Sequence, residues 1–433
     1  MSDFTIVLRS LSLRRFSTTV TVTMVAVSMA LLLVLLAMRD AGRAAFRRGT
    51  GNAHLLVSAD TSPLVAVLNG MFYANAPSQP IDWAAYMKIR EAFPWSWTIP
   101  TQLGDSFRGS PVMATSKEFF TSFEPVLGQP WTFVAGKAFE APYEAVVGAE
   151  AARLHGLRVG SELVLAHGVG TASGEAAHEH EDHPVEVVGI LAPTGSAHDR
   201  AIFTSLETGW CVHAEESRLK EAAAANPGED DHGHLHVDPE DLRDSEKLIT
   251  GILLRVPTRP GEQVSSALPV AFDLLRRQFP FTVAQPAQQV GRLFEIVSGV
   301  DTLFIAMAVA VMVAGALSVM LALYNSMDLR RRQVAILRVL GASQGRVFGL
   351  VLAESAIIGL LGSGLGIALA AVFGTVASAE LQRRVGLVID PTMDLRTIVL
   401  CTAAATFLAC AAGIVPALRA YRTAVVQGLR PLG

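Results

Sequence analysis

The sequence predicts an α-helical membrane protein with four transmembrane helices and a large α+β extracytoplasmic domain inserted between helices 1 and 2. Three observations predict it. Of the 433 residues, 51% are hydrophobic and 17% charged, a balance too apolar for a soluble chain. Four stretches (16–38, 302–327, 355–379 and 397–418) are long and apolar enough to cross a hydrocarbon core of about 30 Å. Residues 39–298 contain no such stretch, yet they are enough chain to bury a core of their own. The formal net charge of −4 is too small for nucleic-acid binding, and the basic residues cluster beside the apolar segments. The three cysteines leave the large domain without a disulfide framework; Cys211 reads as a buried apolar residue.

The expected division is 1–38 for the N-terminus and first span, 39–298 for the outer domain, and 299–433 for spans two to four with a connecting loop at 328–346. Residues 16–38 carry no charge, exceed the ~7–15-residue apolar core of a cleaved signal peptide, and run straight into Arg39, so they read as a retained helix. In the outer domain, residues 55–58, 96–103, 185–191 and 249–256 read as strands, while 82–93 and 264–279 read as helices. The second span has a helical pattern that begins as early as Gln288, so it reads as a stalk that overshoots the membrane. The third carries Gly362, Gly366, Ala370 and Gly374 four residues apart, one small-residue face suited to close helix packing. The fourth ends near Pro416, ahead of Arg419 and Arg422.

Between spans two and three lies a short basic helix, with five arginines against one aspartate from Met327 to Arg346. Such a bias marks a cytoplasmic loop. With the N-terminus and the C-terminal tail also basic, both termini are expected in the cytoplasm and the large domain outside, which in a two-membrane envelope is the periplasm. Val334, Leu337 and Gly341 share one helical face, with Arg330, Arg331 and Arg338 supplying charge close to the membrane. Glu354, at the cytoplasmic edge of span three, reads as an exposed end or a docking contact.

The run Arg331-Arg332-Gln333-Val334-Ala335-Ile336-Leu337-Arg338-Val339-Leu340-Gly341-Ala342 resembles the corresponding loop of the FtsX/MacB-like permeases of ABC transport systems, with Gln333 where that family usually has Glu. The resemblance extends to 145–150, 156–165 and 185–191, which are similar to the strand, short helix and β-hairpin of a MacB-type periplasmic core domain. It implies that Arg331, Arg332, Gln333, Ile336, Leu337, Arg338, Leu340 and Gly341 sit against a separate cytoplasmic ATPase. It further implies an inner-membrane permease homodimer with two ATPase subunits. Nucleotide-driven closure would then act through residues 328–346 and the long second helix on the periplasmic domain. Within such a family the work done ranges over export of peptides or drugs, lipoprotein release and activation of cell-wall hydrolases. A sensor or scaffold without transport is the rival from another class.

Ten of eleven histidines fall between His155 and His236. His178, His180 and His183 stand among Glu179, Glu181 and Asp182; His232, His234 and His236 alternate in a second acidic tract. Alternate residues of an extended chain point the same way, and imidazoles beside carboxylates suit zinc, nickel or copper. Solvated acidic loops are the plainer reading. The tracts suggest labile zinc or other divalent metal, taken up directly or with a periplasmic metal-binding lipoprotein, and no tightly bound cofactor. Catalysis is not indicated. Asp182 stands where a zinc protease needs its second histidine, and Gly136-Lys137 is followed by Ala138, with Trp131 where a phosphate loop needs its first glycine. Any ATP hydrolysis therefore belongs to another chain. The spans are almost free of ionisable groups, which argues against an ion pathway through them.

Overall fold

In the computed structural model the chain is described over residues 3–77, 79–167, 184–225, 237–259, 262, 265–385 and 393–422. It divides into two compact units, Gly42–Ile296 with Leu381–Ile389, and Met1–Ala41 with Val297–Glu380 and Asp390–Gly433. The chain opens on α1 (Asp3–Leu13) and α2 (Arg15–Gly49), and the sheet unit begins at the end of α2. Then follow β1 (Leu55–Ser58), α3 (Pro63–Phe72), β2 (Ile81–Asp82), α4 (Trp83–Glu91), β3 (Trp97–Phe107), β4 (Ser110–Thr115) and α5 (Glu118–Thr121). After these come β5 (Phe133–Gly136), β6 (Glu144–Val147), α6 (Ala149–His155), β7 (Glu162–Leu163), β8 (Ala166–His167), β9 (Val185–Leu191), β10 (Ile202–Ser205) and α7 (Leu206–Ala225). The unit finishes with β11 (Leu248–Ile249), β12 (Gly251–Arg255), α8 (Leu268–Gln278) and β13 (Thr282–Ala284).

Eleven of these strands form one mixed sheet in the order β13-β1-β12-β3-β4-β10-β6-β9-β5, with β7 added on β9 and β8 on β3. The β4–β10 and β6–β9 pairs are parallel and the other pairs antiparallel. Helices cover both faces, and alternation along the strands divides the side chains between them. Leu56, Leu103, Met113 and Leu253 join Phe119, Phe123, Trp131 and Phe203 on one side; Leu55, Val57, Ala114, Ile252 and Leu254 meet Tyr86, Trp210, Cys211 and Leu275 on the other. Cys211 is fully buried.

The expected strands at 55–58 and 185–191 have the observed bounds. Residues 249–256 instead form two strands interrupted at Thr250, whose Oγ1 accepts from the Leu103 N–H at 2.9 Å. The expected strand at 96–103 runs on to Phe107, because one extra residue, Gly104, is accommodated as a bulge between Leu103 and Asp105. The helix expected over 264–279 starts at Leu268, with Pro269 in its first turn, where the missing N–H costs nothing.

The other unit is helical: the membrane part of α2, then α9 (Pro286–Val339), α10 (Gln344–Val385) and α11 (Leu395–Arg422). Among the described residues four helices are long and apolar enough to cross a membrane, within Arg15–Gly49, Asp301–Asn325, Gln344–Glu380 and Leu395–Arg419. The second is one continuous helix of 54 residues, about 80 Å at ~1.5 Å per residue. It absorbs the segment expected to be a separate basic helix and loop at 328–346. Helical geometry persists to Val339, so only residues 340–343 remain to turn the chain.

Candidate functional site

The turn between α9 and α10 follows from its sequence. Gly341 has φ +95°, a conformation nearly closed to residues with a Cβ, and it terminates α9 with its N–H on the Arg338 carbonyl at 3.1 Å. Two residues on, Ser343 Oγ accepts from the Arg346 N–H at 3.2 Å and caps α10. The corner leaves apolar side chains bare: Ile336 is 45% exposed, Val339 64% and Leu340 78%, while Ala335 is buried and Arg338 half-buried. Arg331, Arg332, Gln333 and Leu337 lie on the same last turns of α9. The corner therefore sets exposed apolar groups beside a basic run.

Helix α1 was not anticipated, although Val7 and Leu11 have helical spacing. Both are buried with Val319, Leu323 and Ile358. Two ion pairs bind this region to α10: Asp3 Oδ1 receives Nε and Nη2 of Arg346 at 3.0 and 2.7 Å, and Glu354 Oε1 receives Nη2 of Arg14 at 3.2 Å. Glu354 is therefore neither an exposed end nor a docking contact. It is 2% exposed and ion-paired, as a carboxylate away from water must be.

The small-residue face of α10 lies against α2. A Cβ at Gly362 would stand 2.6 Å from the Val25 Cβ, and one at Gly366 would stand 2.7 Å from the Met29 Cβ and 2.8 Å from the Ala26 carbonyl oxygen. Ala370 and Gly374 continue the face and are buried. Ser28 of α2 donates to its own helix at Met24 O (2.7 Å) and across to Val311 O of α9 (3.2 Å). Removal of side chains lets these backbones approach, which is how helices associate where lipid is as apolar as leucine.

In the sheet unit, the end of α2 is held by a buried histidine. His198, 1% exposed, contacts the Gly49 carbonyl through Nε2 at 3.2 Å and the Tyr73 hydroxyl through Nδ1 at 2.6 Å. The carbonyl only accepts, so Nε2 carries the proton and Tyr73 O–H donates to Nδ1. Burial pulls the His198 pKa down to about 4 and pushes the Tyr73 phenol up. Tyr73 itself adopts φ +56°, and its carbonyl and that of Phe72 accept from Arg200 Nη2 at 3.0 and 2.6 Å. Beside the clamp, Phe46 near the end of α2 meets Phe294 of α9 edge-on at 5.7 Å.

The histidines expected to hold metal, His178, His180, His183, His232, His234 and His236, lie outside the described residues. Among the described residues no group of three or more His, Cys, Asp or Glu is placed to hold a metal ion. One histidine–carboxylate pair does occur, His213 Nε2 at 3.2 Å from Asp105 Oδ2. Sequence reasoning missed it because the two residues are far apart in the chain and only the Gly104 bulge unites them.

The fold and these fittings define a multi-pass membrane protein with a large outer domain. Two family models match it: the MacB-like periplasmic core domain over residues 18–231, and the FtsX-like permease C-terminal domain over residues 305–425. The chain belongs to the ABC transporter permeases of the FtsX/MacB type, a family of transporter components that work with a cytoplasmic ATPase. Among solved structures it is similar to the extracellular domain of the noncanonic ABC-type transporter YknZ from Gram-positive bacteria, at 7% identity and TM-score 0.27, covering 53% of this chain and 98% of that one. No curated protein matches the chain.

Proposed function

We propose that this chain is the permease subunit that turns nucleotide-driven motion of a separate ATPase into work by the outer domain. The observation that carries the reading is the bare apolar corner at Ile336, Val339 and Leu340, at the end of a helix whose first turns, residues 286–296, belong to the sheet unit. A stiff helix of this length is suited to carry displacement, and the side-chain-free α2–α10 seam lets helices shift as rods. Basic segments beside the spans orient the corner and both termini to the cytoplasm and the sheet domain to the periplasm, across the inner membrane. Two permease chains acting with two ATPase subunits, as a homodimer, complete the machine. It carries out no chemistry of its own. Leu337→Asp and Leu340→Asp are expected to insert and fold normally yet lose association with the ATPase and stimulation of its hydrolysis. Full association and stimulation in both variants would refute the proposal.

The histidine tracts favour a second reading, which concerns the cargo. Six imidazoles interleaved with carboxylates are a donor set for zinc or a similar divalent cation, held loosely and exchanged with a periplasmic lipoprotein or another metal-binding partner. The same architecture also serves peptide or drug export and lipoprotein release, and the tracts are what favour metal among these.

A further inference from the structure

We propose that α1 is a second contact for the ATPase, standing beside the α9–α10 corner. The proposal rests on the reading of the corner given above and adds a surface that the corner itself does not supply.

Two ion pairs fix the direction in which α1 runs. Asp3 pairs with Arg346 and Arg14 pairs with Glu354. At ~1.5 Å per residue, Asp3 to Arg14 spans about 16 Å and Arg346 to Glu354 about 12 Å, and both pairs are met in the same chain order. The two segments therefore run side by side and parallel. The packing between the ion pairs agrees: Leu350 of α10 lies against the cluster that buries Val7 and Leu11. So α1 follows the first turns of α10 away from Glu354, and its Asp3 end arrives at Arg346, three residues from the Ser343 cap of the corner. The Asp3–Arg346 pair is half exposed on both sides and contributes little stability by itself. Burial of Val7 and Leu11 holds the helix, and the ion pair sets its end.

The opposite face of α1 is open. Thr5, Leu8, Arg9 and Ser12 are all exposed and, three and four residues apart, form one stripe along the helix. Leu8 is 43% exposed, with the polar side chains of Thr5, Arg9 and Ser12 before and after it. An apolar centre with a polar rim is the make-up of a protein interface. Arg9 excludes hydrocarbon as the occupant, since a guanidinium in the middle of the stripe would have to leave water. Leu13 and Phe16, next to the charge-free run, are the exposed apolar groups left to lipid. The partner that this family brings to the cytoplasmic end is the ATPase. Contacts on two different helices keep that partner from rolling about the corner, so its displacement passes into α9 along the helix axis.

The test uses the full-length chain with Cys211, Cys401 and Cys410 replaced by serine, in inside-out vesicles, with and without the co-assembled ATPase. Leu8→Cys and Leu340→Cys are compared by their rates of reaction with a membrane-impermeant maleimide. Both are expected to react freely without the ATPase and to slow on the order of tenfold or more with it, and Leu8→Asp is expected to weaken ATPase association on the order of tenfold. Protection at Leu340 with none at Leu8 overturns the proposal and leaves the corner reading standing. Protection at neither overturns both. A Leu8 cysteine that stays unreactive without the ATPase, while that at Leu340 reacts, lies in lipid and overturns the proposal. Protection at Leu8 with full association of Leu8→Asp marks shielding without contact and overturns it too.

Discussion

The two units of this chain solve the packing problem in opposite ways. In the sheet unit bulky rings interlock: Phe119 stacks on Phe123 with centroids 5.0 Å apart, Trp131 and Phe203 close over them, and the His198 ring lies among all four. In the helical unit the contact surface of α10 is made by leaving side chains out, at Gly362 and Gly366. The difference reflects the solvent. Expelling large apolar surface from water stabilises a water-exposed domain, whereas helices already surrounded by lipid gain only from close contact. The proposed coupling would need both kinds of packing, a domain that keeps its shape and helices whose smooth faces can slide.

The sharpest way to break this contrast is at His198. His198→Ala empties a space among four rings and strips the Gly49 carbonyl and the Tyr73 hydroxyl of their partner, for an expected loss of roughly 3–4 kcal/mol. All five tryptophans lie between Trp83 and Trp210, so urea unfolding followed by tryptophan fluorescence reads the sheet unit alone. An effect below about 1 kcal/mol would mean that the clamp contributes little beyond an ordinary surface contact. In the wild type the same residue sets a pH dependence. Its folded pKa of about 4 lies below the unfolded value of 6.5, so the unfolded chain binds the proton first. Its contribution is fully present above pH 6.5 and is lost as pH falls towards 4, by about 3 kcal/mol over that window. A flat profile there would show the ring to be reachable by water.

A smaller effect is expected from filling the helical seam. Gly366→Leu forces α10 away from Met29 and Ala26 and is expected to cost about 1–3 kcal/mol, whereas Gly364→Leu, with nothing within 4 Å of its Cβ, stays within about 0.5 kcal/mol. Cys401, 9% exposed in the cluster with Met29 and Ala370, reports the change through the onset temperature of its reaction with a maleimide. Equal behaviour of the two variants would remove the distinction between the two units.

Much of this was legible in the sequence because it depends on local pattern. Charge-free runs marked the four apolar helices, and the four-residue spacing of Gly362, Gly366, Ala370 and Gly374 marked the face that meets α2. The corner was not: Gly341, expected on a helical face with Val334 and Leu337, has φ +95° and ends α9. Other features depend on contacts between distant residues, which pattern does not encode. Helix α1 was missed because its 11 residues are too few to mark a span and Arg14 and Arg15 separate them from the charge-free run. The placement of Asp105 against His213 turns on one inserted glycine, and the closure of α2 by His198 joins residues 149 positions apart. Glu354 was misread because a lone acid beside a span says nothing of Arg14, which lies 340 positions away.

The central claim, that the α9–α10 corner is cytoplasmic and meets the ATPase, is tested most directly by placing a single cysteine at Leu340 in a chain whose Cys211, Cys401 and Cys410 are replaced by serine. The account predicts that this cysteine resists a membrane-impermeant maleimide in intact spheroplasts, reacts in inside-out vesicles, and is protected there, and cross-linked, when the ATPase is co-assembled. Labelling in intact spheroplasts would reverse the topology, and full reactivity in the presence of the assembled ATPase would remove the corner from the coupling interface.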